Sequence, residues 1–198
     1  MNKLIILIMT LFGMTSCVIG QEGKADIKRK KILVAYYSWS GNTKAVGDYI
    51  AQKLSADVYQ IQPVKAYPTD YDVCVKEVGK HGKEYEPELK PASINVADYD
   101  VVFVGTPCWW GNISNPLRSF LHQYSFKGKT VIPFMTNGTS GKKLQDVKKL
   151  CPDATVLDGL SIYNRYQVET KINTPDNMGN WKIAVDEWLE TYCHKMDL

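Results

Sequence analysis

Three short stretches of this chain combine the residue types that bind a polar, flat ligand. The first is Ser38-Trp39-Ser40-Gly41-Asn42-Thr43, which puts hydroxyls, one permissive glycine and the start of a helix within six residues. Backbone N–H groups at a helix start, helped by the helix dipole, favour a phosphate dianion, and Ser and Thr hydroxyls add donors without adding a cation. An ordinary helix N-cap uses the same residue types, so both readings stay open for this stretch alone. The second is Thr106-Pro107-Cys108-Trp109-Trp110-Gly111-Asn112, with paired tryptophans in a turn. Large aromatics in a turn need something to cover, and a flat conjugated ring is the natural partner. One of the two indoles is equally well explained as core packing, because neighbouring side chains in a turn diverge. The third, Thr136-Asn137-Gly138-Thr139-Ser140-Gly141, offers N–H and hydroxyl donors suited to the polar edge of a ring. Taken alone it is a turn.

Other phosphate chemistry is poorly matched. Gly138-Thr139-Ser140-Gly141-Lys142 has glycines too close together for a P-loop, and Lys143 stands where that motif needs a magnesium-binding hydroxyl. The first stretch has one glycine and not the three of a dinucleotide fingerprint. A mononucleotide is favoured. The five cysteines form no C-x-x-C pair and have no histidine at co-ligand spacing, so no metal site is expected. His81, His122 and His194 fall outside the three stretches and are expected at the surface or on helices, and no catalytic side chain is assigned.

Positioning these stretches requires strands that end where they begin. Ile32 to Tyr37 is a near-continuous apolar run of the kind buried on both faces. Val46, Ile50 and Leu54 then recur at helical spacing. Asp57 to Val64 reads as an edge strand ending at Pro63. Tyr67 to Gly82 reads as a helix starting near Pro68, and Lys83 to Ala97 as an extended surface segment. Val101 to Val104 is a strand running into Gly105-Thr106-Pro107, followed by a helix over Pro116 to Tyr124. Thr130 to Met135 is a fourth strand and Thr155 to Leu160 a fifth, with a short helix between them at Leu144, Val147 and Leu150. Trp181, Ala184, Val185, Trp188, Leu189 and Tyr192 place a closing helix with a continuous apolar face. Strands alternating with crossover helices make an α/β, doubly wound sheet, which binds ligands at the carboxyl ends of its strands. All three stretches fall there.

Composition bounds the rest. At 198 residues the chain supports one domain. Its 24 Lys and Arg against 21 Asp and Glu argue against a nucleic-acid binder. Residues 1 to 16 differ in kind: Lys3, an apolar run from Leu4 to Phe12, then Gly13-Met14-Thr15-Ser16-Cys17, a signal-peptide pattern. That run is too short to span a hydrocarbon core of roughly 30 Å. Met14-Thr15-Ser16-Cys17 resembles a bacterial lipobox, in which Cys17 becomes the lipidated first residue. Residues 17 to 30 then form a lipid-anchored polar tether, and 31 to 198 the folded domain. The expected location is the cell envelope, as an exported, membrane-anchored lipoprotein, with secretion through cleavage at another bond as the alternative. Without residues 1 to 16 the net charge is +2.

With these residues in view, the stretches Ser38 to Thr43, Gly105 to Gly111 and Thr136 to Gly141 resemble the three flavin-binding loops of the flavodoxin-like family, nearest its reductase-like branch. The resemblance covers roughly Lys31 to Tyr192. It implies a three-layer sandwich with a five-stranded parallel sheet in the order 2-1-3-4-5 and helices on both faces. It also implies FMN as cofactor, with the phosphate at Ser38, Ser40, Gly41, Asn42 and Thr43. The isoalloxazine would lie beside Thr106, Pro107, Trp109, Trp110 and Gly111, and the pyrimidine edge near Asn137, Gly138, Ser140 and Gly141. Ser40 departs from the more usual threonine, and the near-neutral charge departs from the acidity of soluble carriers. The implied function is redox, moving electrons or hydride through FMN to a small-molecule or protein partner. Within it stand an electron carrier and an NAD(P)H-dependent quinone or small-molecule reductase; a binding module that has lost flavin is the remaining alternative.

Replacing Cys17 with Ala in the full chain is expected to abolish membrane association in a bacterial host. Fractionation with salt-washed membranes checks this, and a variant that stays with the membranes removes the lipid anchor from consideration.

Overall fold

The computed structural model describes residues 30–138, 144–163 and 174–196, with side chains described up to Tyr192. The expected signal peptide, Cys17 and the tether up to residue 29 lie outside them. Five apolar residues, Ile32–Tyr36, form β1, and all five are buried. They are flanked on one side by β2 (Asp57–Gln60) and on the other by β3 (Val101–Trp109), both parallel to β1. β2 is exposed at three of its four positions, as an edge strand should be.

β3 pairs in parallel with β5 (Thr130–Asn137) and turns back on β4 (Asn112–Ile113) as an antiparallel hairpin. Beyond β5 the single fifth strand expected over Thr155 to Leu160 is two short ones. β6 (Thr155–Val156) pairs with Thr130 and Val131, and β7 (Leu160–Tyr163) with Phe134 to Asn137. Pro133 stands opposite the gap and has no N–H for the ladder, so the pairing is interrupted there and resumes one step on. The sheet runs β2-β1-β3-β5-β6, with β7 continuing the place of β6. This is the parallel order 2-1-3-4-5 once the β4 hairpin is set aside.

Helices cover both faces. On one side α1 (Asn42–Leu54) and α5 (Trp181–Met196) bury Val46, Ile50, Val185, Trp188 and Leu189 against Val34, Tyr36, Phe103 and Phe134. On the other, α3 (Asn115–Gln123) and α4 (Gln145–Leu150) bury Leu117, Phe120, Leu121 and Val147 against Leu33, Val102, Val104 and Val131. Each such side chain stabilises the fold by about 1.5–3 kcal/mol through lost apolar exposure. Alternation along β1 and β3 supplies both cores at once.

α2 (Tyr71–His81) starts later than Pro68 suggests, because Asp70 is the cap: its carboxylate accepts the Val73 N–H at 2.9 Å. Only Cys74 and Val78 of α2 are buried. The following segment is held by polar contacts instead. Asn115 Nδ2 donates to Gly82 O and Tyr85 O, Ser119 Oγ donates to Pro87 O, and Arg118 pairs with Glu84 at 2.8 Å. A bridge between Pro63 and Leu89 ties the same segment to the chain just beyond β2, which ends at Gln60, short of the Pro63 expected.

The α1–sheet contact is close at Gly47, where an added Cβ would lie 2.4 Å from the Tyr36 ring. That ring is fully buried and its hydroxyl donates to Asp48 at 2.7 Å, so it has nowhere to move. Helix propensity alone makes Gly47→Ala stabilising by about 1 kcal/mol. Overpacking reverses the sign, and a loss of about 1–3 kcal/mol is expected in denaturant unfolding.

Candidate functional site

Parallel pairing lines up Tyr36 with Gly105 and Pro107 with Thr136, so the connections leaving β1, β3 and β5 share one edge of the sheet. The described residues of the three stretches singled out by residue type therefore lie along that edge.

Between β1 and α1, Gly41 is the N-cap in a left-handed conformation (φ 93°), with open space where a Cβ would stand. It makes no side-chain cap, and the first turn of α1 holds no acidic residue. The start of the helix thus presents N–H groups and positive dipole to whatever lies above it. Ser38 Oγ is buried without a partner among the described residues. Trp39 is tethered by its indole N–H to Pro68 O at 2.8 Å and meets Tyr71 edge-on. Lys44, on the first turn, is ion-paired with Asp48 along the helix. Thr43 differs from its expected role: its side chain is buried and its hydroxyl is 2.8 Å from that of Thr136. What Thr43 offers a ligand is its backbone.

The second stretch is strand for most of its length, where a turn was expected. β3 continues through Trp109, and only Trp110 and Gly111 make the turn. Both have positive φ, 50° and 72°, which defines a two-residue type I′ hairpin turn. Asn112 Nδ2 donates to Trp110 O at 2.9 Å and clamps it. Thr106, expected to touch the ligand, is 0% exposed. Its Oγ1 accepts the Ser114 N–H and lies 2.9 Å from both Ser114 Oγ and Pro107 O, its single proton serving one of them. That knot seats the start of α3. Pro107 remains partly exposed beside it.

The two indoles diverge. Trp109 packs edge-on against Tyr67 at 4.8 Å and Tyr37 at 5.4 Å, while Trp110 is 68% exposed. Tyr37, Tyr67 and Cys74 form an uncharged wall behind Trp109. Burial pushes both phenols well above the ordinary tyrosine range, and burial with the nearby Glu77 carboxylate pushes the Cys74 thiol up to about 11. All three keep their protons at neutral pH. These residues carried no motif, although Tyr37 directly precedes the first stretch.

Of the third stretch, Thr136, Asn137 and Gly138 are described; Thr139, Ser140 and Gly141 lie outside the described residues. Asn137 is buried at the end of β5 and donates from Nδ2 to Ser161 Oγ at 2.7 Å and Ile162 O at 3.3 Å. His81 and His122 pair with Glu77 and Glu86. Neither Cys74, Cys108 nor Cys151 is in a disulfide.

A bulky residue at positive φ is strained, whereas Asn-Gly is the favoured type I′ pair. Trp110→Asn is expected to raise the stability of the ligand-free protein by about 1 kcal/mol. Thermal unfolding of the pair of proteins measures it, and a lowered melting temperature would show that the indole stabilises the fold.

Comparison with known proteins agrees with this architecture. A family model described as Flavodoxin matches residues 31–178. A protein from Bacteroides eggerthii assigned as a flavoprotein is 28% identical, with a TM-score of 0.58 over 80% of this chain and 99% of its own. One so assigned from Bacteroides uniformis is 25% identical, with a TM-score of 0.62 over 79% and 99%. The fold also matches a flavoprotein from Lactobacillus acidophilus crystallised in complex with FMN, at 22% identity and a TM-score of 0.58, covering 67% of this chain and 93% of that one. With the sheet order, the loops at its carboxyl edge and a family match over three quarters of its length, the chain belongs to the flavodoxin family.

Proposed function

We propose that this chain is an FMN-binding redox protein, with the phosphate held at Ser38 to Thr43 and the isoalloxazine between the Trp109–Gly111 hairpin and the loop that begins at Asn137. The observation that carries the reading is the start of α1: a left-handed Gly41, no side-chain cap and no acidic residue. A dianionic phosphate needs that combination, and the described residues of the three loops include no Lys, Arg or His to replace it. Buried polar atoms without partners among the described residues, Ser38 Oγ and Asn137 Oδ1, fit a ligand that supplies the missing hydrogen bonds.

FMN when bound supplies the one- and two-electron chemistry, and the protein supplies binding, orientation and access. Trp110 offers its indole face at the hairpin tip. Trp109 backs the cleft from the Tyr37 and Tyr67 wall. No acid or base stands among the described loop residues, so the chain's own part is to position and to exclude water. The structure of the FMN complex from Lactobacillus acidophilus has the same fold and supports the choice of cofactor.

Between carrier and reductase, charge favours reduction of a small molecule, since carriers that dock electrostatically need a strong field and a chain at +2 without residues 1 to 16 has none. NAD(P)H-dependent reduction of a quinone is the activity to assay. We further infer that Cys17 carries the lipid and that the domain works in the cell envelope, as the lipobox-like Met14-Thr15-Ser16-Cys17 suggests.

Fluorescence titration of the purified protein with FMN and with riboflavin tests the cofactor. FMN is expected to bind one to one and far more tightly, because the α1 start contacts only the phosphate. Equal affinities would remove the phosphate assignment. Trp110→Ala is expected to cost roughly 1–3 kcal/mol of FMN affinity and to relieve flavin quenching, by analogy with aromatic stacking on bases.

A further inference from the structure

Asn137 closes β5 with its side chain buried, and among the described residues its amide is gripped from one direction only. Nδ2 reaches two oxygens of β7, Ser161 Oγ at 2.7 Å and Ile162 O at 3.3 Å. A serine hydroxyl accepts or donates and so cannot decide which way an amide faces. The Ile162 carbonyl only accepts. It therefore requires the NH₂ edge of Asn137 to face β7, and the planar amide then directs Oδ1 elsewhere. Oδ1 is buried and has no hydrogen-bond partner among the described residues. An acceptor left in this state is unfavourable, and buried polar groups are otherwise almost always paired. The atom stands at the carboxyl end of β5, beside the edge where the loops from β1 and β3 converge.

We infer that Ser161 is a positioning residue for the cofactor: it locks the Asn137 amide so that Oδ1 accepts a hydrogen bond from the imide N–H of the flavin pyrimidine ring. The inference rests on the FMN reading above. The oxidised isoalloxazine has a single ring N–H, flanked by two carbonyls. An amide turned the other way would present donors, which suit those carbonyls and reject the N–H. Ile162 thus chooses the sign of the contact, and Ser161 holds the amide in that orientation. Ser161 belongs to no sequence pattern, because its partner is 24 residues away on the neighbouring strand.

The test compares FMN with its N3-methyl analogue, which lacks the imide proton, on wild type, Ser161→Ala, Ser161→Thr and Asn137→Ala. Wild type is expected to prefer FMN. Ser161→Ala is expected to weaken FMN binding about 3–10-fold, the scale of one hydrogen bond, and to shrink the preference over the methyl analogue. Ser161→Thr, which keeps the hydroxyl, restores both, and Asn137→Ala abolishes the preference. If Ser161→Ala loses affinity equally for both flavins while the melting temperature of the ligand-free protein falls, Ser161 is only a structural residue and the proposal is overturned. Unchanged affinity and preference in Ser161→Ala overturn it too. A wild-type protein that fails to bind FMN at all defeats the cofactor reading itself, an outcome distinct from either.

Discussion

Two buried hydroxyls, on Thr43 and Thr136, lie 2.8 Å apart across 93 residues of sequence and tie the start of α1 to the end of β5. β1 and β5 are not neighbours, because β3 runs between them. The contact therefore fixes the height of the helix start relative to the far side of the cleft, which sheet pairing alone leaves free. Removing either hydroxyl strands the other in the core, at a cost of about 1–3 kcal/mol. The bond also turns the Thr43 side chain inward. Beside the Ser38 hydroxyl, the first loop meets an anion with backbone N–H groups, whose positions are set by the helix that the same bond anchors.

The rest of the site follows from that neutrality. No described residue of the three loops is charged, and the wall of Tyr37, Tyr67 and Cys74 is kept protonated by burial. A wall of this kind does not change charge near neutral pH, so a bound redox group would see a constant field. It is held less firmly than the sheet. α2 buries only two side chains, and the segment after it depends on Asn115, Ser119 and Arg118 of α3. With few apolar contacts, α2 and that segment belong to the part of the molecule that opens first.

Periodicity made the layers legible. Runs such as Ile32 to Tyr37 and Val101 to Val104 are apolar because both faces are buried, and the stripe from Trp181 to Tyr192 is apolar on one side because one side packs. The convergence of the three loops was legible for the same reason, since parallel strands deliver their ends to one edge. What stayed hidden depends on single hydrogen bonds between distant residues. Thr106 has the composition of a ligand group, yet Ser114 and Pro107 occupy its hydroxyl. The division of the fifth strand follows from one missing N–H at Pro133. Neither Ser161 nor Tyr67 shares a local pattern with the residue it touches.

Trp110 joins these themes. A relaxed turn with negative φ would twist against the flanking strands, whereas the I′ turn matches the right-handed twist of β3 and β4. Splaying that hairpin would break the Cys108–Ile113 pair and draw Ser114 away from Thr106. α3 begins at the next residue, so its seat would move, and with it Asn115 and the segment that Asn115 holds. The handedness of the turn is thus imposed from below by the core, and the residue placed there must accept a positive φ whatever its side chain. Asparagine or glycine would accept it with less strain and expose less apolar surface. A tryptophan in that position opposes both preferences, and its ring reaches back toward α2, where a Cβ on Gly79 would lie 3.8 Å from it.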